Sequence, residues 1–212
     1  MKLLYKEFML AAHPSLIIFT LLGCLVIVPA YPYSVIFMFG CLAPFITFMF
    51  ARENNDAWFT AVVPVKKQET VKAKCLLIIS VQLGQLVISI PFAVLKIAFN
   101  IPNNPVGMDA TVGWYGFGLV IFAVFDMVFF PAYYKSGYKA GKAFLAAMIP
   151  VVLLMMFVEG IIYVPQLTWL DSTAPENLIR QLPILAFGIL FYACGVFLAY
   201  HIAAKRFEKV DL

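Results

Sequence analysis

Stretches of 17 or more residues carrying at most one charge recur six times along this chain. As a helix, such a stretch covers roughly 30 Å, the thickness of the hydrocarbon core of a bilayer. Inside hydrocarbon a backbone must satisfy its own hydrogen bonds, which leaves only helices and closed barrels. A barrel strand alternates apolar with polar side chains, and these stretches are continuously apolar. The fold class is therefore an all-α integral membrane protein. Composition agrees: 12% of the 212 residues are charged, about half the roughly 25% that a water-facing surface uses.

The runs place six transmembrane helices at 15–31, 33–50, 75–99, 114–133, 143–164 and 182–204. Tyr31-Pro32-Tyr33 alone separates the first two, a tight hairpin with aromatic rings at interface depth. Ahead of them, 1–13 sets Leu3, Leu4, Phe8 and Leu10 near one face, with Lys2, Lys6 and Glu7 elsewhere. That pattern suits an N-terminal amphipathic helix lying in the interface, a frayed charged tail being the alternative. The segment 100–113 is rich in Pro, Asn and Gly and reads as a loop. The segment 165–181 reads as a second loop, with one short helix around 176–181.

Six spans leave both termini on one side. Thirteen basic residues (Lys2, Lys6, Arg52, Lys66, Lys67, Lys72, Lys74, Lys135, Lys139, Lys142, Lys205, Arg206 and Lys209) fall on that side, against Lys96 and Arg180 on the other. The bias makes both termini and the loop 52–74 cytoplasmic. That loop, about 23 residues long, is the longest polar connector and too short for a nucleotide-binding domain, so 1–212 reads as a single domain. Cys24, Cys41, Cys75 and Cys194 all lie in or beside apolar runs, which predicts free thiols rather than disulfides or metal ligands.

Catalytic chemistry finds little support. There is no G-x-x-x-x-G-K-[ST] to cradle ATP phosphates. His13 and His201 lack the neighbours of a zinc site, and no serine sits in G-x-S-x-G. No catalytic residue, metal site or cofactor is expected in this chain. Its basic residues flank apolar runs instead of lining a face, so no nucleic acid is expected either.

Three ionisable residues lie at membrane depth, where a charge costs at least about 2.5–3.5 kcal/mol at the centre. Lys96 and Glu159 fall at similar depth near the outer ends of spans three and five. They either pair or snorkel separately to the interface. Asp126 is deeper, in span four, and should face other protein or a water-filled cavity; structural hydrogen bonding and a proton relay both fit. Gln82 and Gln85 of span three suit bonds across helices.

The loop 52–74 holds eight of the chain's 26 charged residues. Within it, Ala57-Trp58-Phe59-Thr60-Ala61-Val62-Val63 is preceded by Asn54, Asn55 and Asp56 as candidate caps and followed by Pro64. This predicts a helix of about two turns over 55–63. Aromatic anchors ringed by charge fit a protein contact; an anchor on the lipid surface fits as well.

The run Glu53…Trp58-Phe59…Val63-Pro64-Val65-Lys66-Lys67…Val71-Lys72-Ala73-Lys74 resembles the signature of the first cytoplasmic loop in ABC-2 type permeases. The connector Tyr134-Lys135-Ser136-Gly137-Tyr138-Lys139 is similar to that family's second loop. Six spans, an amphipathic start and no ATPase domain resemble its small stand-alone permeases, such as the exporters of phenol-soluble modulins. The resemblance implies a coupling helix seated on a separate cytoplasmic ABC ATPase. Glu53, Asp56, Trp58, Phe59 and Val62 would contact it, Pro64 would end the helix, and Lys66 and Lys67 would sit at the membrane junction. Lys135 and Lys139 match a second contact. It further implies two permease copies and two ATPase copies, with ATP and Mg bound by the partner alone. The cargo would be a hydrophobic or amphipathic peptide, antimicrobial or cytolytic, exported across a bacterial plasma membrane.

Two other readings share the composition. A substrate-binding subunit of a vitamin importer also has six spans, but docks through small-residue motifs on its membrane helices. A membrane scaffold or signalling protein would show no dependence on ATP.

Overall fold

A computed structural model of the chain describes residues 2–11, 14–54, 65–137 and 139–209. Every regular element among them is helical. Helix α1, Lys2–Lys6, runs on as a π-helical turn, Glu7–Ala11. Helix α2, Ser15–Leu21, tightens into a 3-10 helix over Leu22–Ile27. Then come α3 (Ser34–Glu53), α4 (Lys67–Ala98), α5 (Val112–Lys135) and α6 (Ala140–Ile161). A 3-10 turn, Pro165–Leu170, precedes α7 (Pro175–Arg180) and α8 (Leu182–Glu208).

Five of these helices are long and apolar enough to cross a membrane: α3, α4, α5, α6 and the run Pro175–Glu208 that joins α7 to α8. The first stretch expected to span differs. Its helical part, Ser15–Ile27, is shorter than the five. At 1.5 Å per α-helical and 2.0 Å per 3-10 residue it rises only about 22 Å. The cause is Pro29, which drives the preceding residue out of helical conformation; Val28 is extended at φ −100°, ψ 105°. The Leu25 carbonyl accepts both the Val28 N–H at 3.0 Å and the Tyr31 hydroxyl at 2.7 Å.

The N-terminal element is helical, with Glu7 turned inward instead of to a polar side. Tyr5, Phe8 and Met9 are exposed, whereas Glu7 is fully buried. The acid faces protein because its partner is there, as described below.

Helix α5 is the centre of the bundle. It packs most extensively on α8, and also on α6 and α3, while α4 closes the other side against α2 and α8. The α5–α8 crossing depends on glycine. A Cβ on Gly188 would lie 2.8 Å from the Gly116 Cα, and one on Gly116 would lie 2.8 Å from the Ile184 carbonyl carbon. These backbones touch as small-residue membrane helices do. Gly188→Val must push the helices apart and should cost about 1–3 kcal/mol. Size-exclusion profiles in detergent will show it as a fall in the monodisperse fraction, and an unchanged profile would refute the close crossing.

Aromatic rings fill the seam between α3 and α5. The Phe37 and Trp114 rings are 4.3 Å apart, and Phe48 meets Phe129 edge-on at 5.3 Å and Tyr133 at 4.6 Å. Phe37, Phe48, Trp114, Phe122, Phe125 and Phe129 are at most 1% exposed. Within one chain these rings pack the bundle, with the offset and edge geometry that aromatic pairs prefer. Leu145, Ile149, Leu153 and Met156 of α6 point outward, as a face toward hydrocarbon would.

Candidate functional site

Polar chemistry in this bundle is strung along one face of α4. Lys74, Gln82, Gln85, Ser89 and Lys96 recur at helical spacing with Ile78 and Ala93, and all seven are buried. Each polar member meets a different partner, giving three layers from the terminus-bearing end to the far end.

At the terminus-bearing end, the Glu7 carboxylate accepts from Lys74 at 3.0 Å and from Lys6 at 3.3 Å. The Lys74 ammonium also lies 5.4 Å from the Phe48 ring centre. Gln68 donates to Glu208 at 2.6 Å, and Lys67 sits 5.6 Å over Phe207. Arg206 donates to the Pro131 carbonyl at 2.6 Å, and Tyr134 packs on Phe207 at 5.1 Å. The start of α4, the last turn of α5, the end of α8 and the N-terminal element are thereby stitched together.

In the middle layer the Gln82 amide donates to Asp126 Oδ1 at 3.0 Å, and the Tyr192 hydroxyl donates to Gln82 Oε1 at 2.7 Å. This chain ties α4, α5 and α8 together at depth. Asp126 Oδ2 is buried with no hydrogen-bond partner among the described residues. One turn on, Gln85 donates to the Phe19 carbonyl at 2.9 Å, and the Ser89 and Tyr115 hydroxyls share a bond at 3.0 Å. Both glutamines thus bond across helices.

At the far end, Lys96 pairs with Asp109 and donates to the Tyr33 hydroxyl at 3.1 Å. The Lys96–Glu159 pair, one of the two readings of these residues, is not formed. Glu159 instead accepts backbone N–H bonds from Ser34 at 3.0 Å and Met108 at 2.8 Å. The two residues do share a depth, but the loop after α4 folds back and brings Asp109 nearer to the ammonium. Asn104 N–H donates to Asp109 Oδ2 at 3.2 Å, and the Asp109 N–H donates to Asp171 Oδ1 at 2.6 Å. Gln181, fully buried, accepts from Gly113 N–H at 2.9 Å and donates to the carbonyls of Trp169 and Leu170. The two far-end loops are one hydrogen-bonded layer. Asp171, half-buried, is raised from 3.8 to about 6, chiefly by burial, with Asp109 and Glu159 adding to the rise. The hydrogen bond from the Asp109 amide and the charge of Lys96 act the other way.

The residues expected to touch a partner divide in two. Glu53 ends α3 exposed, Lys66 precedes α4 exposed, Lys67 is half-exposed, Lys135 ends α5 exposed and Lys139 is exposed just before α6. Asp56, Trp58, Phe59, Val62 and Pro64 lie outside the described residues, as does Tyr138. Asp126 faces protein, as its depth required. Sequence reading missed Glu7, Asp109, Asp171, Gln181 and Tyr192. The α4 face was the available signal, because its polar residues each demanded a partner.

No group of three His, Cys, Asp or Glu among the described residues is placed to hold a metal ion, and the four cysteines are free thiols. The model of one family, described as ABC-2 family transporter protein, matches residues 2–205. No curated protein and no solved structure matches the chain.

Proposed function

Since the chain belongs to the ABC-2 transporter family, we propose that it is the permease subunit of an ATP-driven exporter whose ATP and Mg are bound by a separate ABC ATPase. The observation that carries this reading is the match over residues 2–205. It is supported by the gathering of Glu53, Lys66, Lys67 and Lys135 at the end where α4, α5 and α8 are stitched together. The connector between α3 and α4, with the helix ends that flank it, then serves as the coupling element, shorter than the 52–74 loop expected because α4 begins at Lys67. Glu53, Asp56, Trp58, Phe59 and Val62 contact the ATPase, Pro64 ends the helix, and Lys66 and Lys67 lie at the membrane junction. Lys135 and Lys139 form the second contact. This end is cytoplasmic, and α2 with its 3-10 extension makes a sixth, thinner crossing.

Two copies of the permease work with two ATPase copies in a bacterial plasma membrane. The cargo is a hydrophobic or amphipathic peptide. Aromatic rings inside one chain are taken up by packing, so its path runs between the two copies. Closure of the ATPase pair on ATP moves the docked helices and shifts which side of that path is open.

The test is co-purification with the ABC ATPase encoded beside this protein, comparing wild type with Trp58→Ala/Phe59→Ala. The expected result is a stable complex for wild type and loss of the ATPase from a monodisperse double variant. A double variant that holds the ATPase as well as wild type would reduce the loop to a lipid-surface anchor.

A further inference from the structure

A cavity of about 250 Å³ opens beside the far end of α4, walled by Lys96, Ile97, Asn100, Asn103, Asp109 and Thr173. Its rim is fixed by the way α4 ends. Asn100 lies in the left-handed region at φ 52°; its N–H donates to the Ile97 carbonyl at 3.1 Å, and the Ile101 N–H to the Lys96 carbonyl at 3.0 Å. This double bond pattern closes a helix on glycine or asparagine.

The polar groups of the wall are under-used. The buried Lys96 ammonium has three N–H bonds, of which two go to Asp109 and the Tyr33 hydroxyl. The third has no partner among the described residues, and the side chains of Asn100, Asn103 and Thr173 make no hydrogen bond with any of them. Charge is out of balance as well. Glu159 and Asp171 hold the adjacent Met108 and Asp109 amides, so with Asp109 itself three carboxylates gather around one ammonium. Arg180, the other cation of this end, lies over the Trp169 ring instead. Donors for an anion thus stand beside a surplus of acid for a cation, which suits a group that carries both charges.

An apolar track leaves the cavity at Ile97. Ile97, Val94, Ile90 and Val87 are exposed along one face of α4. They cover about 15 Å at 1.5 Å per residue, half of the roughly 30 Å hydrocarbon core and therefore one leaflet. Tyr163 is exposed at this end, and Tyr31 and Trp169 are half-buried, side chains that favour headgroup level. The cavity is smaller than the roughly 300–1,000 Å³ that encloses a whole drug-sized ligand. It has room for a headgroup, with the apolar chains left outside on the track.

We propose that this end of α4 binds one phospholipid whose headgroup carries an ammonium beside its phosphate. The phosphate lies against the third Lys96 N–H and the Asn100 and Asn103 amides. The ammonium meets Asp109 and the Thr173 hydroxyl, and an acyl chain follows Ile97, Val94, Ile90 and Val87. The site rests on the chain crossing a membrane, and on neither the cargo nor the ATPase.

Native mass spectrometry of the full chain in detergent, titrated separately with phosphatidylethanolamine and phosphatidylglycerol of the same acyl chains, tests this. Both lipids bring the phosphate, and only the first brings the ammonium. One phosphatidylethanolamine per chain should bind about tenfold more tightly than phosphatidylglycerol. Asn100→Gly keeps the left-handed turn and Asn103 is exposed, so Asn100→Gly/Asn103→Ala removes both amides at little cost to the fold. The double variant should bind phosphatidylethanolamine about tenfold more weakly at an unchanged melting midpoint. Should its midpoint fall, Asn103→Ala alone decides the matter, with a loss of about threefold expected. O-phosphoethanolamine, the headgroup without chains, should leave the lipid in place at equal concentration. Equal affinity for the two lipids, or variants that hold phosphatidylethanolamine as wild type does, overturns the proposal. Displacement by O-phosphoethanolamine overturns it too, in favour of a soluble zwitterion. No outcome here bears on ATPase binding, which the Trp58/Phe59 experiment decides.

Discussion

Lys96→Met should cost about 3–5 kcal/mol, since it leaves the Asp109 carboxylate buried without its cation. Lys96 is 5% exposed and Asp109 2%, so the carboxylate stays buried when its counter-charge is removed. Methionine keeps most of the apolar stem and volume, and the change therefore isolates the ammonium. In detergent the melting midpoint is expected to fall by about 10 °C, and limited proteolysis should begin between α4 and α5, where Asp109 has lost its anchor. Lys96→Met/Asp109→Leu removes both charges. It should recover most of the stability, because a buried pair replaced by apolar residues is often neutral. A single variant that melts like wild type would show the pair to be hydrated in the membrane. A double variant that melts below the single would make Asp109's bond to Asn104 the stronger tie.

That pair also shows where the sequence stopped being legible. Depth along an apolar run is a one-dimensional property, and it placed Lys96 and Glu159 at the same level. Partner choice is three-dimensional. Asp109 sits in a stretch whose Pro, Asn and Gly residues read as an outward loop, and only the folded chain brings it back over α4. The bonds from Glu159 to Ser34 and Met108 span 125 and 51 residues of sequence, so no local periodicity could announce them. Gln181 closes the same layer from a position that read as the end of a loop.

Helical periodicity went further. Helices α3, α4, α5, α6 and α8 begin and end within a few residues of the apolar runs, apart from the extension of α4 back to Lys67. That extension follows from Thr70, Val71 and Lys74 continuing the buried face of α4. The 3-10 ending of the first run was not read from the sequence: Pro29 is its local cause, but the close approach of Gly23 to the Gln85 backbone exists only in the folded chain. The glycine pattern of α5 and α8 was readable as small residues but not as a crossing, since Gly116 and Gly188 must find each other across 72 residues of sequence.

Reversing the charge at Glu7 should release the N-terminal element from the bundle. Glu7 is fully buried, and the Lys74 side chain is 9% exposed with its ammonium 3.0 Å away. Glu7→Lys removes the anion and sets a third ammonium beside Lys6 and Lys74. A cost of about 3–5 kcal/mol is expected from the broken buried pair, large enough that the short α1 and its π-helical turn cannot stay docked. Trypsin should then cut within the first fourteen residues while α5 and α8 remain protected. Glu7→Lys/Lys74→Glu restores opposite signs across the same gap and should regain most of the protection, giving a coupling energy that neither single change supplies. Because α4 starts directly after the loop proposed to bind the ATPase, the single variant should also weaken co-purification, and the charge-swapped variant should recover it. If Glu7→Lys loses its N-terminal docking yet keeps the ATPase fully bound, the N-terminal element is an anchor for the bundle alone. If it neither releases the terminus nor lowers the melting midpoint, the ion pair contributes nothing, and apolar contacts of α1 with α4 hold the segment in place.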